Sequence, residues 1–198
     1  MKIGVLALQG AFREHRQALE RCGVEVIEVR KPDDVDLIDG LIIPGGESTT
    51  IGKLLVEWGL ADKIVKRAQD GMPIYGTCAG LIVIAKEIAE FEQQARLPLM
   101  DIVARRNAYG RQVDSFEHEF KITELGDEPF RAVFIRAPYI EKCGPSVQVL
   151  AEHEGKAVLA RQNNLLASSF HPELTCDDRI HRYFLQMVKE ARQKSCLD

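Results

Sequence analysis

The stretch Pro-Ile-Tyr-Gly-Thr-Cys-Ala-Gly-Leu-Ile-Val-Ile-Ala, residues 73–85, changes character at its centre. Its first part has the pattern of a buried strand and its last part that of a buried helix, so a sharp turn is expected at Cys78. A Gly-x-nucleophile-x-Gly turn between a strand and a helix holds the central residue in a strained conformation, for which Gly76 and Gly80 make room. The pattern predicts that Cys78 is a nucleophile.

The position of Cys78 at the start of a helix supports this prediction. The free N–H groups and the dipole of a helix N-terminus stabilise negative charge, which favours the thiolate form of a cysteine. The same N–H groups can bind an oxyanion. The alternative is a small buried cysteine that packs as a hydrophobic residue. The two flanking glycines favour the nucleophile.

Strands and helices alternate over the first half of the chain. Continuous apolar runs at residues 3–8, 24–29 and 41–43 are typical of parallel strands that are buried on both faces. Helical patterns at residues 12–22, 50–58 and 61–69 lie between or after them, and residues 31–34 have the composition of a turn. This order predicts an α/β fold with a doubly wound, mostly parallel sheet and flanking helices.

The second half of the chain has a different pattern. Short strand-like runs occur at residues 99–103, 116–122, 132–135, 147–152, 157–160 and 165–170. Turn residues at 154–156 and 162–164 predict hairpins, and therefore a small antiparallel section. A last helix, residues 177–192, should pack one apolar face on the sheet. The sequence has no repeat or linker, so we expect a single domain over residues 1–198.

Composition argues against several classes of partner. The chain has 26 Lys and Arg residues against 30 Asp and Glu residues, so it lacks the basic surplus of a nucleic-acid or membrane-surface protein. Its first apolar run is too short for a signal peptide or a membrane span. The five cysteines lack the paired spacing of a disulfide framework or a zinc site. We expect a cytoplasmic protein that binds no nucleic acid, membrane or metal.

A thiol nucleophile needs a base, and His171 is the best candidate. It begins His171-Pro172-Glu173, and a residue before proline favours extended backbone. In extended backbone, side chains two positions apart point to the same side, so Glu173 can orient the His171 imidazole. We predict Cys78, His171 and Glu173 as nucleophile, acid–base and orienting acid. The alternative is a turn cluster before the last helix. No role is assigned to the remaining histidines: His15, His118, His153 and His181.

The loop Pro-Gly-Gly-Glu-Ser, residues 44–48, resembles a phosphate-binding loop but departs from its pattern. Five residues separate Gly46 from Gly52, one too many, and Leu54 stands where such a loop needs Ser or Thr. We therefore expect no nucleotide site. At the carboxyl end of a strand, the loop can instead present N–H groups to the crevice that holds Cys78. We predict an oxyanion hole formed by the N–H groups of Gly46 and Ala79.

Together these motifs resemble a known family. Gly-Thr-Cys-Ala-Gly at 76–80 and His-Pro-Glu at 171–173 are similar to the motifs of class I (triad) glutamine amidotransferases, which hydrolyse glutamine to glutamate and ammonia. Residues 8–15, 44–50, 106–117 and 134–138 resemble, within that family, the glutaminase subunits of pyridoxal 5′-phosphate synthase. The resemblance covers the chain from the first strand to the last helix, and it implies a flavodoxin-like fold.

The resemblance also implies roles and partners. It assigns glutamine hydrolysis through a thioester to Cys78, His171 and Glu173, and it implies no cofactor. It implies a separate (β/α)₈-barrel synthase subunit (PdxS) that receives the ammonia in a large hetero-oligomer, with contacts through Gln9, Gly10 and the first helix. We expect little activity without this partner, because a flexible glycine loop needs help to set its peptide orientation. The implied glutamine contacts are Gly46, Glu47, Ser48, Arg106, Ile135 and Arg136.

Three other interpretations remain open. The glutaminase could serve a different acceptor, in histidine, purine or aminobenzoate synthesis, although the subfamily motifs argue against this. The chain could be another enzyme with a cysteine elbow, of the DJ-1 or intracellular-peptidase kind. In those enzymes a histidine commonly follows the cysteine, where this chain has Ala79. It could also be a catalytically silent subunit that keeps the fold.

Overall fold

The computed structural model describes residues 1–106 and 115–195, so most of the motif at 106–117, and Cys196, lie outside the described residues. The described residues form six α-helices, which are α1 (Phe12–Arg21), α2 (Pro32–Val35), α3 (Ser48–Glu57), α4 (Ala61–Gln69), α5 (Ala79–Ile84) and α6 (Arg179–Ser195). Their strands are β1 (Lys2–Leu6), β2 (Glu25–Val29), β3 (Gly40–Ile43), β4 (Ile74–Thr77), β5 (Ala85–Ile88), β6 (Met100–Arg105), β7 (Ser115–Phe120), β8 (Phe130–Ile135), β9 (Tyr139–Cys143), β10 (Gln148–His153), β11 (Lys156–Gln162) and β12 (Leu165–Ser168).

One large sheet runs through the described residues in the order β2-β1-β3-β4-β12-β11-β9-β6-β5, with β10 also paired to β11. The five strands from β2 to β12 are mutually parallel, and antiparallel pairing begins between β12 and β11. Strands β7 and β8 form a separate antiparallel pair. The predicted α/β fold with a mostly parallel sheet and a small antiparallel section is confirmed.

Two apolar cores lie on the two faces of the sheet. Successive residues of a strand point to opposite faces, so Leu41 and Ile43 of β3 enter one core while Ile42 enters the other. Helices α3, α4 and α5 cover the first face, and α1, α6 and the β7–β8 pair cover the second. Burial on both faces explains why the central strands are continuous apolar runs rather than alternating ones.

The structure differs from the sequence-based expectation in three places. Residues 31–34 are not only a turn, because α2 begins at Pro32 and the Asp34 carboxylate accepts the N–H groups of Arg30 and Lys31. Strands β5 and β9 were not predicted. Both carry exposed charged residues in short segments, which weakens the apolar pattern on which the prediction rests.

No helix of the described residues is long and apolar enough to cross a membrane.

Candidate active site

The turn at Cys78 has the strained geometry that its sequence predicts. Cys78 lies between β4 and α5 with φ 50° and ψ −103°, in a region that side-chain-bearing residues rarely adopt. A Cβ on Gly80 would lie 2.0 Å from the carbonyl oxygen of Ile43, and one on Gly76 would lie 2.5 Å from the backbone of Gly80. Glycine is therefore required at both positions for α5 to start this close to β3 and β4.

His171 and Glu173 reach Cys78 from the end of β12. The N–H of His171 donates to the carbonyl oxygen of Val133 at 2.8 Å, which ties this segment to β8. Nδ1 of His171 donates to Oε1 of Glu173 at 2.7 Å, and the same ring lines the crevice together with Cys78. Glu173 lies in a 3₁₀ turn, Pro172–Leu174, rather than in the extended segment expected from the sequence. The predicted contact forms nevertheless, through the tight turn.

The charges of these three side chains reinforce one another. Burial alone would lower the pKa of His171, but its hydrogen bonds with Cys78 and Glu173, and the charges of both, outweigh burial and raise that pKa. Burial would raise the pKa of Glu173, but the nearby His15 and His171 rings lower it. The arrangement favours an ionised Glu173 and a protonated His171.

The Gly45-Gly46 loop is held by the turn that follows β1. The N–H of Ala11 donates to the carbonyl oxygen of Gly45 at 2.9 Å, and the N–H of Glu47 donates to Oε1 of Gln9 at 2.8 Å. A Cβ on Gly45 would lie 2.4 Å from Cε1 of His171, so only glycine lets the loop pass this close to the imidazole. Because a trans peptide is planar, the N–H of Gly46 points away from Ala11.

These elements enclose a crevice of about 390 Å³ at the carboxyl ends of β3, β4 and β12. Cys78, Ala79 and His171 lie in its wall. The six residues predicted to contact glutamine also line it: Gly46, Glu47, Ser48, Arg106, Ile135 and Arg136. The structure thus brings together every residue predicted for the site. Their individual roles, including the oxyanion hole, stay predictions.

Comparison with known proteins places this geometry in a family. Residues 5–190 match the model of the SNO glutamine amidotransferase family. The chain belongs to this family. It is 60% identical over 188 residues to the pyridoxal 5′-phosphate synthase subunit PdxT of Carboxydothermus hydrogenoformans, covering 95% of this chain and 98% of that protein. It is also 60% identical to the PdxT subunit of Pelotomaculum thermopropionicum, covering 98% of each chain.

Solved structures agree with this assignment. A crystal structure described as a glutamine amidotransferase superposes with a TM-score of 0.91 at 52% identity, covering 94% of this chain and 98% of that one. The structure of PurLQS from Thermotoga maritima gives a TM-score of 0.66 at 17% identity over 93% of this chain and 97% of that one. At such low identity the second likeness shows the fold alone.

Sequence analysis missed a residue that holds Arg106 in this SNO family member. Nη1 of Arg106 donates to Oε1 of Gln94 at 3.0 Å, and Nε2 of Gln94 donates to Oγ of Ser48 at 3.1 Å. The Arg106 guanidinium also lies 4.8 Å from the centre of the Phe91 ring and pairs with Glu47 at 3.3 Å. A glutamine in a polar loop carries no sequence signal, so these contacts could be found only from the structure.

The four histidines without a predicted role lie in different surroundings. His15 and His181 are completely buried, and Nε2 of His15 lies 3.3 Å from Oε2 of Glu173. In the sequence, both histidines fall on the apolar face of a helix, beside Leu19 in α1 and Phe184 in α6. This periodicity indicates that the two side chains are buried. Of the other two, His118 is exposed, whereas His153 is half-buried, with its ring centre 5.1 Å from that of Phe116.

The buried His181 predicts an acid-sensitive fold. Burial lowers the pKa of His181 from 6.5 to about 3, so below pH 6.5 the unfolded chain binds a proton that the folded chain does not. The stability that a neutral His181 provides is therefore present above pH 6.5 and is lost as the pH falls toward 3. Between pH 7 and pH 5 the free energy of unfolding should fall by about 2 kcal/mol because of His181.

The matched variant is His181→Gln, which keeps an N–H donor and does not titrate. Urea unfolding at pH 7 and pH 5 should show that the unmodified chain loses about 2 kcal/mol more than this variant does. An equal loss in both proteins would mean that His181 takes up its proton within the folded state.

Proposed function

We propose that this chain is the glutaminase subunit of pyridoxal 5′-phosphate synthase, hydrolysing L-glutamine and passing the ammonia to a synthase subunit. The observation that carries the proposal is the meeting of Cys78 and His171 in the wall of a crevice lined by Arg106, with the His171 ring hydrogen bonded to the buried Glu173. Family membership and near-complete coverage of the PdxT relatives support it. As part of the same proposal, residues 1–198 act as one domain in the cytoplasm.

The first half of the reaction forms a thioester. The Cys78 thiolate attacks the side-chain amide carbon of glutamine, and the carbonyl oxygen becomes an oxyanion that the N–H groups of Gly46 and Ala79 stabilise. His171, protonated beside the sulfur, gives its proton to the amide nitrogen. The carbon–nitrogen bond then breaks, ammonia leaves, and the glutamyl group stays on the sulfur of Cys78.

The second half of the reaction returns the enzyme to its starting state. His171, now neutral, takes a proton from a water molecule as that water attacks the thioester carbon. The carbon–sulfur bond breaks, glutamate leaves, and Cys78 again carries a thiolate beside the protonated imidazole. Glu173 keeps the ring of His171 in one orientation through both halves, since its carboxylate accepts the Nδ1 hydrogen. The net change is glutamine plus water to glutamate plus ammonia.

Substrate selection follows from the charges of the crevice wall. Arg106 is the cation that we assign to the α-carboxylate of glutamine, because a guanidinium binds a carboxylate through two parallel hydrogen bonds. Glu47 is the carboxylate that we assign to the α-ammonium group, and Ser48, Ile135 and Arg136 complete the contacts. Arg106 is only about a fifth exposed at its side chain, so its interactions are shielded from solvent more than those of a surface arginine.

The proposed partner is the barrel-shaped synthase subunit. Ammonia that reached solvent would take up a proton and lose its nucleophilicity, so the crevice must open toward the acceptor site of another chain. We assign the docking contact to Gln9, Gly10 and α1. The same turn holds the Gly45-Gly46 loop through Gln9 and Ala11. Docking there would set the peptide orientation of the oxyanion hole, and we therefore expect low activity without the partner.

No observation favours a different acceptor. The PdxT relatives are between 53% and 60% identical to this chain, whereas PurLQS is 17% identical. A cysteine-elbow enzyme of another kind would have its histidine next to the cysteine, and this chain has Ala79 there. A catalytically silent subunit is also disfavoured, because Cys78 and His171 line the same crevice and the His171 ring is hydrogen bonded to Glu173.

The proposal is tested by glutamate release from L-glutamine, with the chain alone and mixed with its synthase subunit. Release should rise strongly on mixing, and Cys78→Ala should lower it by at least about 10³-fold, because the thioester cannot form. Cys143→Ala, which changes an exposed cysteine, serves as the control and should leave the rate unchanged. Full activity without the partner would contradict the pathway assignment, and absence of release under every condition would contradict the glutaminase itself.

The role of Arg106 makes a separate prediction. Arg106→Met should raise the KM for glutamine about 10- to 100-fold with little change in kcat, because a lost hydrogen bond to a charged group costs about 1.5–3 kcal/mol in both ground and transition state. Steady-state kinetics of the complex measure both constants. The control is Arg105→Met, since Arg105 pairs with Glu90 and does not line the described crevice. An unchanged KM in Arg106→Met would assign the substrate carboxylate to another residue.

A further inference from the structure

The contact with His171 engages only one of the two carboxylate oxygens of Glu173. Glu173 is buried, its Oε1 accepts from His171, and no hydrogen bond among the described residues reaches its Oε2. A buried carboxylate with a free oxygen is costly, and native proteins normally supply a donor. Nε2 of His15 lies 3.3 Å from that oxygen. His15 is therefore the residue placed to hold the second oxygen of Glu173.

His15 belongs to a buried chain of polar side chains behind the site. Its Nε2 lies 3.1 Å from Oγ1 of Thr77, and its Nδ1 lies 3.0 Å from Nε2 of His181. All three side chains are fully buried, and Thr77 directly precedes Cys78. These buried polar side chains therefore link α6 and α1 to the end of β4 and to Glu173. They lie on the side of the carboxylate that faces away from His171.

The position of each ring hydrogen follows from what each nitrogen faces. A carboxylate only accepts hydrogen bonds, so Nε2 of His15 carries the hydrogen and its Nδ1 is an acceptor. Nε2 of His181, which faces that Nδ1, is then the donor. Nδ1 of His181 keeps a lone pair, and no hydrogen bond among residues 1–106 and 115–195 reaches it. With the opposite tautomers, Nδ1 of His181 would carry a buried N–H without an acceptor. Buried N–H groups without a partner are rarer in proteins than buried acceptors without one.

We propose that His15 is a positioning residue for the glutaminase reaction. Its neutral ring donates from Nε2 toward Glu173 and Thr77, and His181 fixes that tautomer by donating to Nδ1 of His15. With Oε1 hydrogen bonded to His171 and Oε2 3.3 Å from Nε2 of His15, rotation of the carboxylate away from His171 is opposed. This inference rests on the proposed function, because it concerns the same three catalytic side chains.

The neutrality of the two rings is part of this role. A cationic His15 would repel the protonated His171 and would share the attraction of the Glu173 carboxylate. A neutral His15 orients the carboxylate through its N–H group, and the negative charge of Glu173 then stabilises His171 alone. Burial lowers the pKa of His15 and lowers that of His181 to about 3. The other charged groups that act on these rings are His171 and Glu14 at His15, and Asp178 and Arg21 at His181.

The first test compares His15→Gln with His15→Met in the complex with the synthase subunit. The two side chains have the same length, but only glutamine places an N–H donor at the position of Nε2. His15→Met should lower kcat about 10- to 100-fold, the range seen when a metal ligand loses its outer partner, whereas His15→Gln should stay within about threefold of the unmodified chain. KM should change less than about twofold in both, because the described lining of the crevice does not include His15.

Equal losses in the two variants would reduce His15 to a packing role and overturn the proposal, as would full activity in His15→Met. Thermal unfolding of both variants checks that each is folded. Iodoacetamide alkylation gives a readout that needs no glutamine. In His15→Met the alkylation rate of Cys78 at pH 7 should fall about tenfold, because a misplaced Glu173 no longer supports the protonated His171. Exposed Cys143 serves as the internal reference in the same digest.

A second test uses the unmodified chain and does not depend on the folding of a variant. Nitrogen-15 NMR of labelled histidines distinguishes the Nδ1–H, Nε2–H and protonated forms of each ring. His15 and His181 should both be neutral Nε2–H tautomers between pH 7 and pH 8.5. A protonated His15 or its Nδ1–H tautomer would overturn the proposal. Because this result is independent of substrate, it can fail while the glutaminase assignment stands, and the reverse is also true.

Discussion

The whole site depends on the strained backbone of Cys78. A residue with a side chain at φ 50° and ψ −103° costs about 1–3 kcal/mol, and the surrounding structure must supply that energy. It does so through contacts that need two glycines: the start of α5 lies against the carbonyl oxygen of Ile43, and β4 lies against the backbone of Gly80. The N–H of Cys78 also donates to the carbonyl oxygen of Ser168 at 2.8 Å. The turn is therefore fixed by both neighbours of β4.

The same packing explains why the site forms where it does. Strands β3, β4 and β12 are adjacent and parallel, so their carboxyl ends meet at one edge of the sheet. The glycine loop follows β3, Cys78 follows β4 and His171 comes shortly after β12. Each segment carries one part of the chemistry, and none could act alone. Behind this edge, α1 brings His15 against Glu173 and α6 brings His181 against His15, so the helices of one face also contribute to the site.

The sequence was sufficient for the parts of the site that lie in short patterns. The Gly-x-Cys-x-Gly turn, the glycine loop and His171-Pro172-Glu173 each have a local geometric reason, and the order of strands places them together. Family resemblance added Arg106 and the other glutamine contacts. The sequence did not reveal the contact between Gln94 and Arg106, or the position of His15 next to Glu173, because both depend on tertiary packing between distant segments. The charged strands β5 and β9 were missed for lack of an apolar pattern.

The central claim is that Cys78 is the nucleophile that attacks glutamine. The most direct measurement uses a glutamine analogue with a diazomethyl ketone in place of the side-chain amide, incubated with the complex of this chain and its synthase subunit. Peptide mass spectrometry then locates the adduct. The account predicts one adduct per chain, on Cys78, with protection by excess L-glutamine. Adducts on Cys143 or Cys176 with none on Cys78, or labelling that glutamine does not slow, would contradict it.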